Sequence, residues 1–215
     1  MVEEAGHVRG LMAKRKAAPK TVVPGRADPA YMAQAIHDFL VGAGLDPATD
    51  PELADTPGRV TQAWIEDFLD GYRADPANIL ADLHPTTSRE MVVATGIDFH
   101  SMCPHHLLPY RGKAHVAYVP KDGVVGFGKL VEIVDAFAHR LTLQEQIAED
   151  VAGALMTHLG ARGAACVLDA EQGCMTMRGP KRRDARTVTR ALRGTIAKDK
   201  SLQAAFLSAI GKTKS

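Results

Sequence analysis

The chain has little cysteine, almost no net charge and no long apolar run, and each shortage closes off a class of function. Three cysteines in 215 residues, with no apolar leader segment at the N-terminus, indicate a reducing, cytoplasmic setting in which thiols stay free. No stretch is apolar for long enough to cross a bilayer, so no membrane partner is expected. A formal net charge of +1 gives no global attraction to nucleic acid, and any basic patch has to be local. The rest of the composition, 46% hydrophobic and 24% charged, is ordinary for a protein with one core, or one core plus a helical appendage. No internal repeat is strong enough to suggest a solenoid.

Against that plain background one stretch concentrates chemistry, Met102-Cys103-Pro104-His105-His106. Cys103-x-x-His106 places a sulfur and an imidazole nitrogen within one turn, close enough to hold the same tetrahedral metal ion. Short Cys/His matches also arise by chance, and two ligands do not make a site. A third has to come from elsewhere, and the remaining cysteines are Cys166 and Cys174. Cys166 lies in the apolar run Ala164-Ala165-Cys166-Val167-Leu168, where a thiol usually serves as a small hydrophobe. Cys174 lies in Gln172-Gly173-Cys174-Met175-Thr176-Met177-Arg178-Gly179, beside cationic and glycine-rich positions that suit an anionic ligand. With Cys174 the set becomes two thiolates and an imidazole, which leaves the fourth position of zinc open for water.

Residues 1–28, with Lys14-Arg15-Lys16 and no sustained apolar period, read as a mobile basic arm. Residues 29–74 read as a helical region. Met32, Ile36, Phe39 and Leu40 recur at helical spacing up to Gly42 and Gly44. A second helix starts at Asp55-Thr56-Pro57, buries Val60, Trp64, Phe68 and Leu69, and stops near Gly71. After a connector over 75–89, strands are expected at 91–97 and 114–119, so that the Cys103 stretch sits on the connection between them. Helices follow through Leu130, Val134 and Phe137 and over 142–159. Thr142 and Glu145 match a capping box, a purely structural use for that glutamate. Further strands are expected at 164–169, 174–177 and 187–192, and a last helix at 202–210. Helices between pairs of strands predict an α+β domain with an antiparallel sheet carrying helices on one face.

Four stretches together resemble the GTP cyclohydrolase I family over about residues 55–195. They are Asp55-Thr56-Pro57-Gly58-Arg59-Val60, Cys103-Pro104-His105-His106, Arg140-Leu141-Thr142-Leu143-Gln144-Glu145 and Cys174-Met175-Thr176-Met177-Arg178-Gly179. The resemblance implies the tunnelling fold over 75–215, an antiparallel sheet with two long helices on one face. It also implies a homo-oligomer, a decamer of stacked rings joined through sheet edges, with active sites between subunits. Zinc on Cys103, His106 and Cys174 would be the cofactor, and a guanine nucleotide the substrate. The implied reaction opens the imidazole ring of GTP, releases C8 as formate and gives dihydroneopterin triphosphate. His105 matches the family's proton-transfer histidine, Gln144 and Glu145 the pair on the guanine edge, and Lys129, Arg178 and Arg59 the phosphate-binding cations.

This chain departs from the family pattern at positions that matter. Gln172 stands where the family has a catalytic histidine, and an amide cannot take up or deliver a proton near neutral pH. Gly128 replaces the serine of a Ser-Lys pair, and Glu132 replaces an arginine that faces the phosphates. Pro104 stands where glutamate is common. Besides an ordinary GTP cyclohydrolase I, these changes admit two other readings. One is a specialised relative that takes a guanine compound with fewer phosphates or stops at a ring-opened formamide. The other is an inactive partner subunit, against which the retained Cys103, His105, His106, Glu145 and Cys174 argue.

Overall fold

The computed structural model describes residues 26–211, so almost all of the expected basic arm lies outside the described residues. Helix α1 (Pro29–Gly42) opens where Asp28 accepts from the backbone N–H of Tyr31 at 3.0 Å, with proline in its first turn. It ends ahead of Gly44, whose φ of 81° suits glycine. Helix α2 (Thr56–Ala63) runs on through a π turn over Trp64–Phe68 and a 3₁₀ turn over Asp70–Arg73. There follow α3 (Pro76–Ile79), β1 (His84–Pro85), β2 (Val92–Met102), β3 (Pro109–Val119), β4 (Gly123–Val124), α4 (Phe127–Ala138) and α5 (Gln144–Thr157). The chain closes with β5 (Gly163–Gln172), α6 (Gly173–Thr176), β6 (Arg186–Arg193), α7 (Gly194–Lys198) and α8 (Lys200–Gly211).

Four strands make one antiparallel sheet in the order β2-β3-β5-β6, while β1 and β4 pair separately. Period-two alternation divides its side chains between two cores. Ala114, Val116, Tyr118, Ala164, Cys166 and Leu168 pack against Leu130, Ile133 and Val134 of α4 and Ile147, Val151 and Leu155 of α5. Ala117, Val119, Ala165 and Val167 face the other way, onto Ile196 of α7 and Phe206 of α8. The chain is therefore α+β, with its two long core helices on one face of the sheet, and the C-terminal helices cover part of the second face. No helix among the described residues is long and apolar enough to cross a membrane.

Two details set the position of the site. The 3₁₀ turn over Asp70–Arg73 presses on the end of α4 so closely that a Cβ at Gly71 would stand 2.7 Å from the carbonyls of Ala136 and His139. Arg140 closes this joint, donating from Nε to the Gly71 carbonyl at 3.2 Å and lying over the rings of Phe137 and Tyr72 at 4.9 and 5.6 Å. The chain then runs alongside the end of β2, where Leu141 bridges Met102 and the Thr142 N–H donates to the Met102 carbonyl at 3.3 Å. That extended passage delays the start of α5 to Gln144, two residues after the expected start at 142.

The strand expected at 174–177 does not form. The Met177 N–H donates to the Gly173 carbonyl at 3.0 Å and the segment coils into α6, turning the chain out of the sheet at the end of β5. Glycine is required at the corner, since a Cβ on Gly173 would stand 2.4 Å from the Pro109 carbonyl. The connector over 75–89 likewise carries α3 and β1.

Candidate active site

The β2–β3 connection is a tight turn. The Leu107 N–H donates to the Cys103 carbonyl and the Cys103 N–H to the Leu108 carbonyl, both at 2.9 Å, with Leu107 at a φ of 52°. An extended segment would have turned His105 away from its neighbour His106, but the turn brings both imidazoles to the same thiol. Nδ1 of His105 and Nδ1 of His106 each lie 3.9 Å from Cys103 Sγ. The coil at α6 brings Cys174 to the same place. Ligand atoms of Cys103, His106 and Cys174 all lie within 4.8 Å of one another.

These residues fit a metal ion. Bond lengths of about 2.3 Å to sulfur and about 2.0 Å to nitrogen in a tetrahedron put ligand atoms roughly 3.5 to 3.8 Å apart. The 3.9 Å between Cys103 Sγ and His106 Nδ1 is already close to that spacing. Burial, reinforced by the Cys103 thiol, raises the Cys174 thiol above the usual range. Cys166 is fully buried among the side chains under α4 and α5, and burial pushes its thiol up to about 12.

A cleft of about 200 Å³ opens beside this cluster, and its lining includes Cys103, His105, Tyr110, Gln144, Glu145, Gln172, Cys174 and Thr187. Glu145 sits in the first turn of α5, exposed, and its carboxylate accepts no hydrogen bond from the described residues. The capping box is not made. The N-cap position falls on Leu143, without a side-chain bond, and the Thr142 hydroxyl turns to the Leu143 carbonyl at 3.5 Å.

Its neighbour Gln144 behaves in the opposite way. It is 3% exposed, and its Nε2 donates to the carbonyls of Leu168 and Thr187 at 3.0 and 2.9 Å. Its Oε1 accepts from Gln172 Nε2 at 2.7 Å and from the Thr187 hydroxyl at 2.6 Å. Gln144 thus lines the cleft while its amide is spent on the protein.

Two participants carried no sequence signal. Tyr110 donates from its hydroxyl to the Thr142 carbonyl at 2.9 Å, pinning the approach to α5, and burial raises its phenol well above the ordinary range. Thr187 joins Gln144 to Gln172. Both residues look like ordinary strand positions, and only the fold makes them part of the cleft.

The three expected phosphate cations are not on this cleft's lining. Lys129 Nζ is held by both carboxylate oxygens of Glu132, at 3.0 and 2.8 Å. Arg59, on α2, pairs with Asp55 at 3.0 Å. Arg178 is exposed just past α6, close enough for its charge to act on the Cys174 thiol.

Two thiols and an imidazole converge beside a cleft with an uncommitted carboxylate, a donor set compatible with a metal ion. Comparison with known proteins gives the family. The profile described as GTP cyclohydrolase I matches residues 32–211. The GTP cyclohydrolase 1 of Chromobacterium violaceum is 42% identical over 184 residues, 85% of this chain and 88% of that protein. That of Halalkalibacterium halodurans is 44% identical over 186 residues, 86% of this chain and 98% of that protein. A solved structure, the archaeosine synthase QueF-like protein in its apo form, overlays 50% of this chain and 97% of its own at 17% identity and a TM-score of 0.42. The chain belongs to the GTP cyclohydrolase I family.

Proposed function

We propose that this protein is a zinc-dependent GTP cyclohydrolase I. It opens the guanine imidazole ring of GTP, releases formate and forms 7,8-dihydroneopterin triphosphate. The observation that carries this reading is the approach of Cys103, His106 and Cys174 to within 4.8 Å of one another, beside the cleft that Glu145 lines.

Each residue then has a task that its surroundings support. Cys103, His106 and Cys174 would hold zinc, which supplies Lewis-acid activation of water when bound. Glu145 accepts from N1–H and the 2-amino group of guanine, a two-point contact between a carboxylate and adjacent donors. Gln144, committed to the backbone of β5 and β6, keeps the start of α5 in place behind it. His105, exposed at the cleft and 3.9 Å from the Cys103 thiol, is the group able to hold and move a proton there. Lys129, Arg178 and Arg59 are assigned to the phosphates, with Arg59 entering from a neighbouring subunit. The edges of β2 and β6, which pair with no further strand among the described residues, support a ring assembly through the sheet, stacked to a decamer, in which they find partners. The absence of disulfides among the described cysteines accords with a cytoplasmic enzyme.

A second reading is favoured by particular side chains. Glu132 neutralises the lysine assigned to the phosphates, and Gln172 supplies no titratable group beside the triad. Both changes point to a specialised relative that accepts fewer phosphates or stops at the ring-opened formamide. A product assay on metal-loaded protein with GTP, GMP and guanosine, following formate and pterin fluorescence separately, decides. Formate and pterin from GTP support the first reading. Ring opening without pterin, or a preference for GMP or guanosine, supports the second, and no ring opening with any of the three refutes both.

A further inference from the structure

The hydrogen bonds around Gln172 leave its amide one orientation. Backbone carbonyls only accept, so the Gln144 atom that meets the carbonyls of Leu168 and Thr187 at 3.0 and 2.9 Å must be its NH₂. Gln144 Oε1 is then the atom turned toward Gln172, and an oxygen there requires a donor. The Gln172 atom 2.7 Å away is therefore Nε2, which also lies 3.3 Å from the Thr187 hydroxyl oxygen. The Thr187 hydroxyl spends its own hydrogen on Gln144 Oε1 at 2.6 Å, so it is free to accept from Gln172. The NH₂ end of Gln172 is thus turned onto Gln144 and Thr187, which share one of its N–H groups. Oε1 receives no hydrogen bond among the described residues, and it is an open acceptor on an amide that lines the cleft two residues from Cys174.

An acceptor fixed at this place distinguishes the two ends of a ring opening. The imidazole ring of an intact guanine nucleotide carries no N–H, because N7 is a bare lone pair and N9 bears the ribose. Hydrolytic opening consumes one water. Its oxygen becomes the formyl oxygen on C8, the C8–N9 bond breaks, and its two hydrogens finish on N7 and N9. Two N–H donors thereby appear where none existed. We propose that Gln172, held by Gln144 and Thr187, is a specificity residue whose carbonyl oxygen accepts from an N–H of the ring-opened formamide and makes no such bond with the closed purine. Thr187 is a positioning residue that acts through Gln172. This rests on the reading of the cleft as the guanine site. It gives Gln172 a task that needs no proton transfer: selective retention of the opened ring.

The test is binding. Rapid mixing with full-length, metal-loaded protein reads dissociation constants before turnover, for 7-deaza-GTP as a ring that cannot open and for the formamidopyrimidine triphosphate as the opened ring. Gln172→Met should weaken the opened compound by about threefold to tenfold, the usual value of one hydrogen bond, and leave 7-deaza-GTP within about twofold. Thr187→Val should show the same selective loss in smaller measure, and Thr187→Ser should restore it. Melting temperatures recorded on the same samples separate this from general damage, which would weaken both ligands together. Equal loss for both compounds, or no loss for either, overturns the proposal. A parent protein that binds neither compound overturns the guanine reading of the cleft, and the proposal with it.

Discussion

Adjacent residues at the start of α5 should respond to mutation in opposite ways. Gln144 is 3% exposed and takes part in four hydrogen bonds, two to backbone carbonyls and two to side chains. At about 1 kcal/mol each, Gln144→Leu should cost roughly 3 to 4 kcal/mol of stability, since it keeps the volume but strands its partners. In a chain of this size that lowers Tm by roughly 6 to 16 °C. Glu145 is exposed and makes no cap, so Glu145→Ala should stay within about 0.5 kcal/mol. Its effect belongs to binding. Losing a hydrogen bond to a charged group costs about 1.5 to 3 kcal/mol, so affinity for GTP should fall by about 10-fold to 10²-fold for each bond lost. Thermal melts and equilibrium binding of GTP on both variants are the assay. If Glu145→Ala melts earlier than Gln144→Leu, or binds GTP like the parent, the division of labour argued here is wrong.

Other outcomes follow from single side chains. Glu132→Arg releases Lys129 and adds a second cation, so the affinity ratio of GTP over GMP should rise at least about tenfold, while the melting temperature changes little because an exposed pair contributes about 0 to 1 kcal/mol. An unchanged ratio would remove Lys129 from phosphate binding. Asp135 has its carboxyl raised above the ordinary range, chiefly by burial, against the opposing pull of His139 and His100. A raised acid favours the folded state below its unfolded pKa, and that contribution is lost as pH rises through the folded value. Asp135→Asn should therefore raise Tm more at pH 8 than at pH 5, and the reverse order would contradict the burial argument. Cys166, with its thiol held at about 12, should resist thiol reagents in the native protein, so Cys166→Ser should titrate like the parent until both are denatured. Native loss of one reactive thiol in that variant would refute its burial.

Much of the architecture is legible because periodicity reports burial. The helices around Leu130 and Ile147 and the strands at Val116 and Val167 stand where their apolar spacing puts them. The misplaced elements are those set by contacts distant in sequence. Cys174–Met177 reads as a strand by composition, yet Gly173 against the Pro109 carbonyl turns it into a helical coil. Thr142 and Glu145 have the spacing of a capping box, but the pairing of Leu141 with Met102 pulls Thr142 out of capping position. For the site, the ligand atoms of Cys103, His106 and Cys174 lie within 4.8 Å of one another, three residues whose types single them out in the sequence. The commitment of Gln144 and the orientation of Gln172 depend on side-chain geometry that spacing alone does not encode, whereas the pairing of Lys129 with Glu132 follows the i,i+3 spacing of a helix.

The most direct test of the central claim is formate release from GTP by zinc-loaded parent, Cys174→Ser and Cys166→Ser proteins, with bound zinc quantified in the same samples. The account predicts one zinc per chain and formate production in the parent and in Cys166→Ser, and loss of both in Cys174→Ser. Formate released at the parent rate by Cys174→Ser, or a fully zinc-loaded parent that releases none, would contradict it.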